Sequence, residues 1–283
     1  MKTIRLLYPD HLSGGLDTYW FGAHLLQHIL PANPSQPLVK VDVPAPDGEE
    51  KPVVDGICAR SGVLAGIADA KRKITMERPD RIITLGGNCL VSLAPFDYLH
   101  GRYPDAGIVW IDAHPDVSTP GDGYPYAHAM VLGSLLGAGD PGLAGTMEHP
   151  PFRADEVLYV GLQGLHGYQE RFLQEAGVRY SVQTESFLSC QEIKAFASRF
   201  SQVLVHFDID VLDERRFHST YFANPELAGD GSGGGRMDMA TLADTLGCIA
   251  ESAEVAGFTI AEYLPFDEQR LHNIFAGIKL FTE

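Results

Sequence analysis

Three short stretches of this chain carry residue types that do chemistry, and each one follows an apolar run. Residues 82–90 read IITLGGNCL: a run of apolar residues stops at two glycines and delivers Asn88 and Cys89. Residues 109–117 read VWIDAHPDV and offer Asp112, His114 and Asp116 at i, i+2 and i+4. Residues 203–213 read VLVHFDIDVLD and offer Asp208 and Asp210 at i and i+2. In extended chain that spacing turns the side chains of each set to one side. Two strand ends then present four carboxylates and an imidazole. Buried carboxylates repel one another and lose hydration, so they either fan out into water or gather around a divalent cation. Two like clusters favour a pair of metals bridged by shared carboxylates, roughly 3.5–4 Å apart. Oxygen-rich ligation with one imidazole suits manganese. His206 has the parity of Asp208 and Asp210 but lies deeper in its strand, which reads as a core residue beneath them. Cys89 keeps two readings: a small buried thiol, or a ligand at a strand end, where open α/β sheets place their chemistry.

Positioning these ends requires several strands with a common direction. Short β-rich runs (IRLLY, LVKVDV, RIITL, GIVWIDA, EVLYVGL, QVLVHFDID and GFTIAEYL) alternate with amphipathic stretches over 55–77, 187–200, 238–255 and 267–280. Strands separated by helices imply right-handed crossovers and a mainly parallel sheet covered on both faces. The expectation is one doubly wound α/β domain over residues 1–283. The Gly-rich tract AGDGSGGGRM, residues 228–237, lacks the GK[ST] of a phosphate loop. It reads as a surface loop, or, being close after FDID, as a flap over the strand ends.

Composition narrows the function classes. Hydrophobic residues make up 45% and charged residues 20% of the 283, which is globular usage. The 21 basic and 37 acidic side chains give a formal charge of −16, and no Lys/Arg-rich run occurs, which speaks against a nucleic-acid partner. An acidic field suits a cationic substrate. The start MKTIRLLYPDHLSGG has no apolar core of signal-peptide length, and no segment reaches membrane-spanning length. The four cysteines, at 58, 89, 190 and 248, form no CxxC and read as free thiols of a reducing compartment. These features together predict a soluble cytoplasmic protein with no membrane partner.

The chain resembles the ureohydrolase family of arginases, agmatinases and formiminoglutamases. GGNC stands in the place of that family's Gly-Gly-Asp-His, DAHPD matches its Asp-Ala-His-x-Asp, and DIDVLD matches its Asp-x-Asp. AEYLP, residues 261–265, has the glutamate that the family places shortly before a proline. The resemblance implies an arginase-like fold, a centre of two Mn(II) ions and hydrolysis of a guanidino C–N bond. By the same resemblance, Asp112 and Asp208 bridge the metals, His114 and Asp210 complete one shell, and Asp116 and Cys89 complete the other. A hydroxide between the metals attacks the guanidinium carbon and is oriented by Asp116. Glu262 holds the cationic nitrogens, and His128, in YPYAHAM, delivers a proton to the leaving amine. The interval from DAHPD to His128 is one residue shorter than in arginases.

Cys89 departs from that pattern, standing where the family has a metal-binding histidine, and Asn88 stands where it has an aspartate. A thiolate would replace a neutral ligand with an anionic one, raise the pKa of the bridging water and draw the site toward zinc, iron or other later metals. A subgroup with cysteine at this position, the hydroxyarginine hydrolases of cycloserine biosynthesis, is similar in this respect. The implied substrate is arginine or Nω-hydroxyarginine, released as an amine with urea or hydroxyurea. Arginases read the amino-acid end with an Arg-Asp-x-Asp stretch, and Gln163, Gly164 and His166 stand there instead. Ser118 replaces an asparagine of theirs, so Ser118 and His166 are candidate substrate contacts, and Asp122, Tyr124 and Tyr126 candidates to shape the entrance. The sequence stops three residues after Leu280, so the long-tail trimer of many arginases is not expected, while other oligomers stay open. Two further readings stay in play: a non-catalytic ligand-binding relative, and hydrolysis of a formimino or amide group on the same metals.

Overall fold

The structure is a computed structural model that describes residues 1–227, 229 and 231–282. Nine strands occur among them: β1 (Thr3–Tyr8), β2 (Leu38–Lys40), β3 (Val53–Val54), β4 (Ile57–Cys58), β5 (Arg81–Gly86), β6 (Gly107–Ile111), β7 (Val157–Val160), β8 (Gln202–Asp208) and β9 (Glu254–Ala261). The helices are α1 (Asp17–Ile29), α2 (Arg60–Glu77), α3 (Leu93–Arg102), α4 (Val131–Leu135), α5 (Pro141–Ala144), α6 (Gly167–Ala176), α7 (Cys190–Ala197), α8 (Met239–Ser252), α9 (Phe266–Ala276) and α10 (Lys279–Thr282).

Seven of the strands form one parallel sheet in the order β2-β1-β5-β9-β8-β6-β7, while β3 and β4 make a small separate hairpin. Each apolar run named above contributes one strand, and the doubly wound α/β architecture is the observed one. The strands are apolar at successive positions because both faces are covered. In β6, Ile108 and Trp110 join the core under α2, α3 and α4, whereas Val109 and Ile111 join the core under α7 and α8. Leu204 of β8 likewise faces one core and Val203, Val205 and Phe207 the other. The ends of α7 and α8 are set locally: Ser189 and Glu192 form a capping box, and the Asp238 carboxylate accepts from the Thr241 N–H at 2.8 Å.

Two expectations are corrected. Cys190 and Cys248 form a disulfide, their Cα atoms 5.6 Å apart, which ties the first turn of α7 to α8. A sequence separation of 58 hid the pair, because packing of the two helices and not local spacing brings the thiols together. Only Cys58 and Cys89 are free, so cysteine usage no longer argues for a reducing compartment. Second, β6 ends at Ile111, so Asp112, His114 and Asp116 do not continue an extended strand. No helix among the described residues is long and apolar enough to cross a membrane.

Candidate active site

Sheet register explains how distant motifs meet. Leu85, Ile260, Phe207 and Ile111 form one row across four adjacent parallel strands. Beyond that row lie Gly86, Ala261, Asp208 and Asp112, and all four chains leave the sheet on the same edge. β5 and β6 follow each other along the chain but are separated in the sheet by β9 and β8. A crevice opens at such a switch of strand order, just outside the carboxyl ends.

The turn after β5 is fixed from below. A Cβ on Gly87 would meet the backbone oxygen of Asp10 at 1.9 Å, so only glycine lets the N-terminal segment approach this closely. Asn88 is buried; its Oδ1 accepts from the Leu90 N–H at 3.1 Å and from Ser13 Oγ at 2.8 Å, and its Nδ2 donates to the Asp10 carbonyl at 2.9 Å. Cys89 is thereby aimed at the cluster, where its thiol donates to Asp208 Oδ2 at 2.8 Å. Burial and the neighbouring carboxylates, Asp116 first, push that thiol well above its usual range.

Past β6 the chain turns sharply. Asp112 Oδ2 accepts from Trp110 Nε1 at 2.9 Å and Oδ1 from the His114 N–H at 2.6 Å. Asp116 adopts a left-handed backbone, φ 51°, which turns its side chain back toward Cys89 and Asp112. Holding a residue other than glycine in that region costs about 1 kcal/mol or more and is often found at functional sites. His114 Nδ1 lies 3.1 Å from Asp210 and 3.5 Å from Asp112, while Nε2 donates to the Gly233 carbonyl at 3.1 Å. Burial alone would lower the His114 pKa, but Asp210 and Asp112 carry it well above the imidazole range. Burial and like charges likewise raise Asp116 and Asp208.

Three groups of donor atoms result among the described residues, each with every atom within 4.8 Å of the others: Asp112, His114 and Asp210; Cys89, Asp112, Asp116 and His206; and Cys89, Asp208 and Glu262. Asp112 joins the first two groups and Cys89 the last two. Asp116 Oδ2 and Asp210 Oδ1 are buried without a hydrogen-bond partner, which is the condition a cation would relieve. The donor set, mostly carboxylate with one accessible imidazole and one thiol, fits divalent metals. His206 lies beneath this layer, as its depth in β8 suggested. Its ring stacks on Trp110 at 3.6 Å, Nδ1 pairs with Ser92 Oγ at 2.8 Å, and burial lowers its pKa to about 4.

Glu262 follows β9 and is the second site residue with a left-handed backbone, φ 60°. Its N–H donates to the Gly87 carbonyl at 2.9 Å, tying it to the turn that carries Cys89. One carboxylate oxygen accepts from Tyr19 OH at 3.1 Å; the other pairs with His128 Nδ1 at 2.7 Å. His128 Nε2 pairs with Tyr124 OH at 2.9 Å, and its backbone N–H donates to Ser13 O at 3.1 Å.

A cavity of about 350 Å³ joins these parts. Cys89, His114, Asp116, Ser118, His128, Asp208, Asp210 and Glu262 line it, as do Tyr124 and Tyr126. Among the other sequence candidates, His166 stands one contact back, its Nε2 3.2 Å from the lining Ser232 Oγ. Gln163 turns away to bond the Gly161 carbonyl at 2.7 Å, and Asp122 is taken up in capping Thr119. Gly229 and Ser232 of the Gly-rich tract reach the cavity; Ala228 and Asp230 of that tract lie outside the described residues. Sequence reading missed Tyr19, Gln169, Tyr221 and Phe222, and also Gly14 and Gly15. Gly15, at φ 74° with the Tyr126 ring against its Cα, was a legible glycine signal in HLSGGL that no motif explained.

The sheet order and the strand-end cluster define an open α/β protein with a candidate divalent-metal centre. The arginase-family model matches residues 40–283, and the chain belongs to that family. The curated relatives include the arginase of Saccharomyces cerevisiae, 21% identical over 62% of this chain and 58% of that protein. They also include the N(omega)-hydroxy-L-arginine amidinohydrolase of Streptomyces lavendulae, 28% identical over 64% of this chain and 63% of that protein. The match therefore spans less than two thirds of these relatives' own length. Among solved structures, the arginase of Entamoeba histolytica in complex with L-ornithine gives a TM-score of 0.77 at 19% identity, covering 93% of this chain and 91% of that one. The arginase of Bacillus subtilis gives 0.72 at 18% identity over 94% and 91%. These likenesses establish the fold.

Proposed function

We propose that this protein is a two-metal hydrolase that cleaves the guanidino C–N bond of a small cationic substrate, releasing urea or hydroxyurea and an amine. The observation that carries the reading is the pair of donor groups sharing Asp112, whose members Cys89, His114, Asp116 and Asp210 line the same cavity as the Glu262–His128 pair. Cys89, Asp112, Asp116 and Asp208 would hold one metal, and Asp112, His114, Asp208 and Asp210 the other. The oxygen-rich donors suit Mn(II), and the thiolate shifts preference toward later metals. Bound there, two divalent ions would supply Lewis-acid polarisation and a nucleophilic water at neutral pH.

The chain's own residues do the rest. Glu262 meets the guanidinium with a charge-assisted hydrogen bond and gives up His128 as substrate enters. Asp116 Oδ2 orients the attacking water. His128, held by Tyr124, hands a proton to the departing amine nitrogen. The buried tyrosine Tyr19 keeps Glu262 turned into the cavity.

The test is metal content together with urea and hydroxyurea release by the full chain, before and after exhaustive chelation and with manganese restored. Turnover that survives complete metal removal would sink the reading. Less than one metal per chain with no turnover of any guanidine would replace it with a ligand-binding role. Faster hydrolysis of formiminoglutamate than of any guanidine would move the scissile bond.

A further inference from the structure

We infer that the outer half of the active-site cavity selects guanidines with an uncharged, aromatic tail over those with an amino-acid tail; this rests on the guanidine-hydrolase reading above. The walls there are flat rings. Tyr124 and Tyr126 pack edge to face at 5.4 Å, Tyr221 and Phe222 at 5.3 Å, and the Phe222 ring lies 5.6 Å from that of His114. All four aromatic residues line the cavity and are half-buried, whereas the acids that line it are buried. Glycine at position 15 lets the Tyr126 ring lie directly on the backbone, so the wall carries no side chain that would interrupt it.

Charge is distributed in the opposite way to what an amino-acid head needs. No lysine or arginine is among the described residues that line the cavity, and of the undescribed positions in the neighbouring loop one is alanine and the other aspartate. The acids that line it, Asp116, Asp208, Asp210 and Glu262, are all buried. A carboxylate on the tail would lose hydration beside aromatic rings with no cation to meet it. Beyond those four, no acid is among the described residues that line the cavity: Glu50 acts on Tyr126 from outside that lining, and the Asp122 carboxylate is bonded to the Thr119 N–H at 2.8 Å and to its hydroxyl at 2.7 Å. What the outer half offers is ring surface, with Ser118 and Gln169 as neutral hydrogen-bonding groups. Ring surface favours a flat apolar group, through removal of its area from water and through offset stacking.

The experiment compares 2-phenylethylguanidine with L-arginine, Nω-hydroxy-L-arginine and agmatine on the manganese-loaded full chain. Binding is read by calorimetry and turnover by kcat/KM. The expected result is at least tenfold tighter binding and tenfold higher kcat/KM for 2-phenylethylguanidine than for the other three. Tyr221→Leu and Phe222→Leu, which keep apolar bulk but remove the ring, should each erase most of that advantage through KM. Preference for any of the other three guanidines, or an advantage untouched by both variants, overturns the inference while leaving hydrolysis intact. Ordered binding without turnover of any guanidine sinks the hydrolase reading instead, with the tail still judged by the binding order. Failure of all four to bind overturns both.

Discussion

The thiol of Cys89 and the carboxylate of Asp208 share a hydrogen bond of 2.8 Å, linking the turn after β5 to the end of β8 across the intervening strand β9. The bond needs a proton on sulfur. Burial holds that proton firmly, and the carboxylates around it act in the same direction. A metal that uses Cys89 as thiolate must displace the proton, so proton and metal compete for one place.

Exchange of the ligand type tests whether this thiol binds metal. Cys89→His places a neutral imidazole on the same turn and should hold manganese at least as well as the wild type. Cys89→Ser should lose the metal on that side, because a neutral hydroxyl is a poor ligand. With one negative charge fewer, the Cys89→His pH–rate profile should rise at lower pH. Metal content by elemental analysis and pH profiles of the three proteins check this; three identical results would make Cys89 a buried thiol and nothing more.

Stability of the metal-free protein should depend on pH in a defined sense. Asp116, Asp208, His114 and Cys89 all have raised pKa values in the fold. A raised group contributes stability below its unfolded value and loses it as pH rises through the folded value. For the two aspartates the loss begins above 3.8, and for His114 above 6.5. Metal ligation needs the deprotonated forms, so the Tm gained on adding manganese to chelated protein should grow between about pH 5 and pH 8. The difference between loaded and chelated protein cancels carboxylates outside the cluster such as Asp213, which Arg215 lowers to about 2 and whose contribution is lost only in acid. A gap that narrows with rising pH contradicts the cluster's charge state.

Asn88 is matched to Asp10. In Asn88→Asp a carboxylate oxygen would replace the amide that donates to the Asp10 carbonyl at 2.9 Å and lies 3.5 Å from the Asp10 carboxylate. Two acceptors would then face each other in a buried place, at a cost of about 1–3 kcal/mol. Adding Asp10→Asn should recover at least half of the loss. Urea unfolding of the four proteins in a double-mutant cycle measures the coupling. Additive effects would show that the two side chains do not sense each other.

The 2.7 Å Glu262–His128 pair predicts separable kinetic defects on whichever guanidine is turned over. His128→Asn should lower kcat by about 10²- to 10⁴-fold, the usual worth of a positioned acid. Glu262→Gln keeps the shape but removes the charge that meets the guanidinium, and should lower kcat/KM by roughly 10- to 100-fold, the worth of one charge-assisted hydrogen bond. Equal loss of binding in both variants would mean that His128 only holds Glu262.

The reach of the sequence is clearest at the strand ends. Apolar runs such as GIVWI and QVLVHF announce buried strands because both faces need covering, and their last residues announce where acids emerge. The motifs at 86–89, 112–116 and 208–210 were therefore legible as one chemistry. What decided that they meet is the sheet order, which places β9 and β8 between β5 and β6 and puts Leu85, Ile260, Phe207 and Ile111 in one row. No local pattern carries that information, because strand neighbours are chosen by packing between segments far apart in the chain. Tyr19 and Phe222 entered the cavity, and Gln163 left it, for the same reason. The Cys190–Cys248 bond likewise depends on α7 meeting α8 across the sheet's outer face, whereas the identity of Cys89 as the odd residue of its turn stood in the sequence from the start.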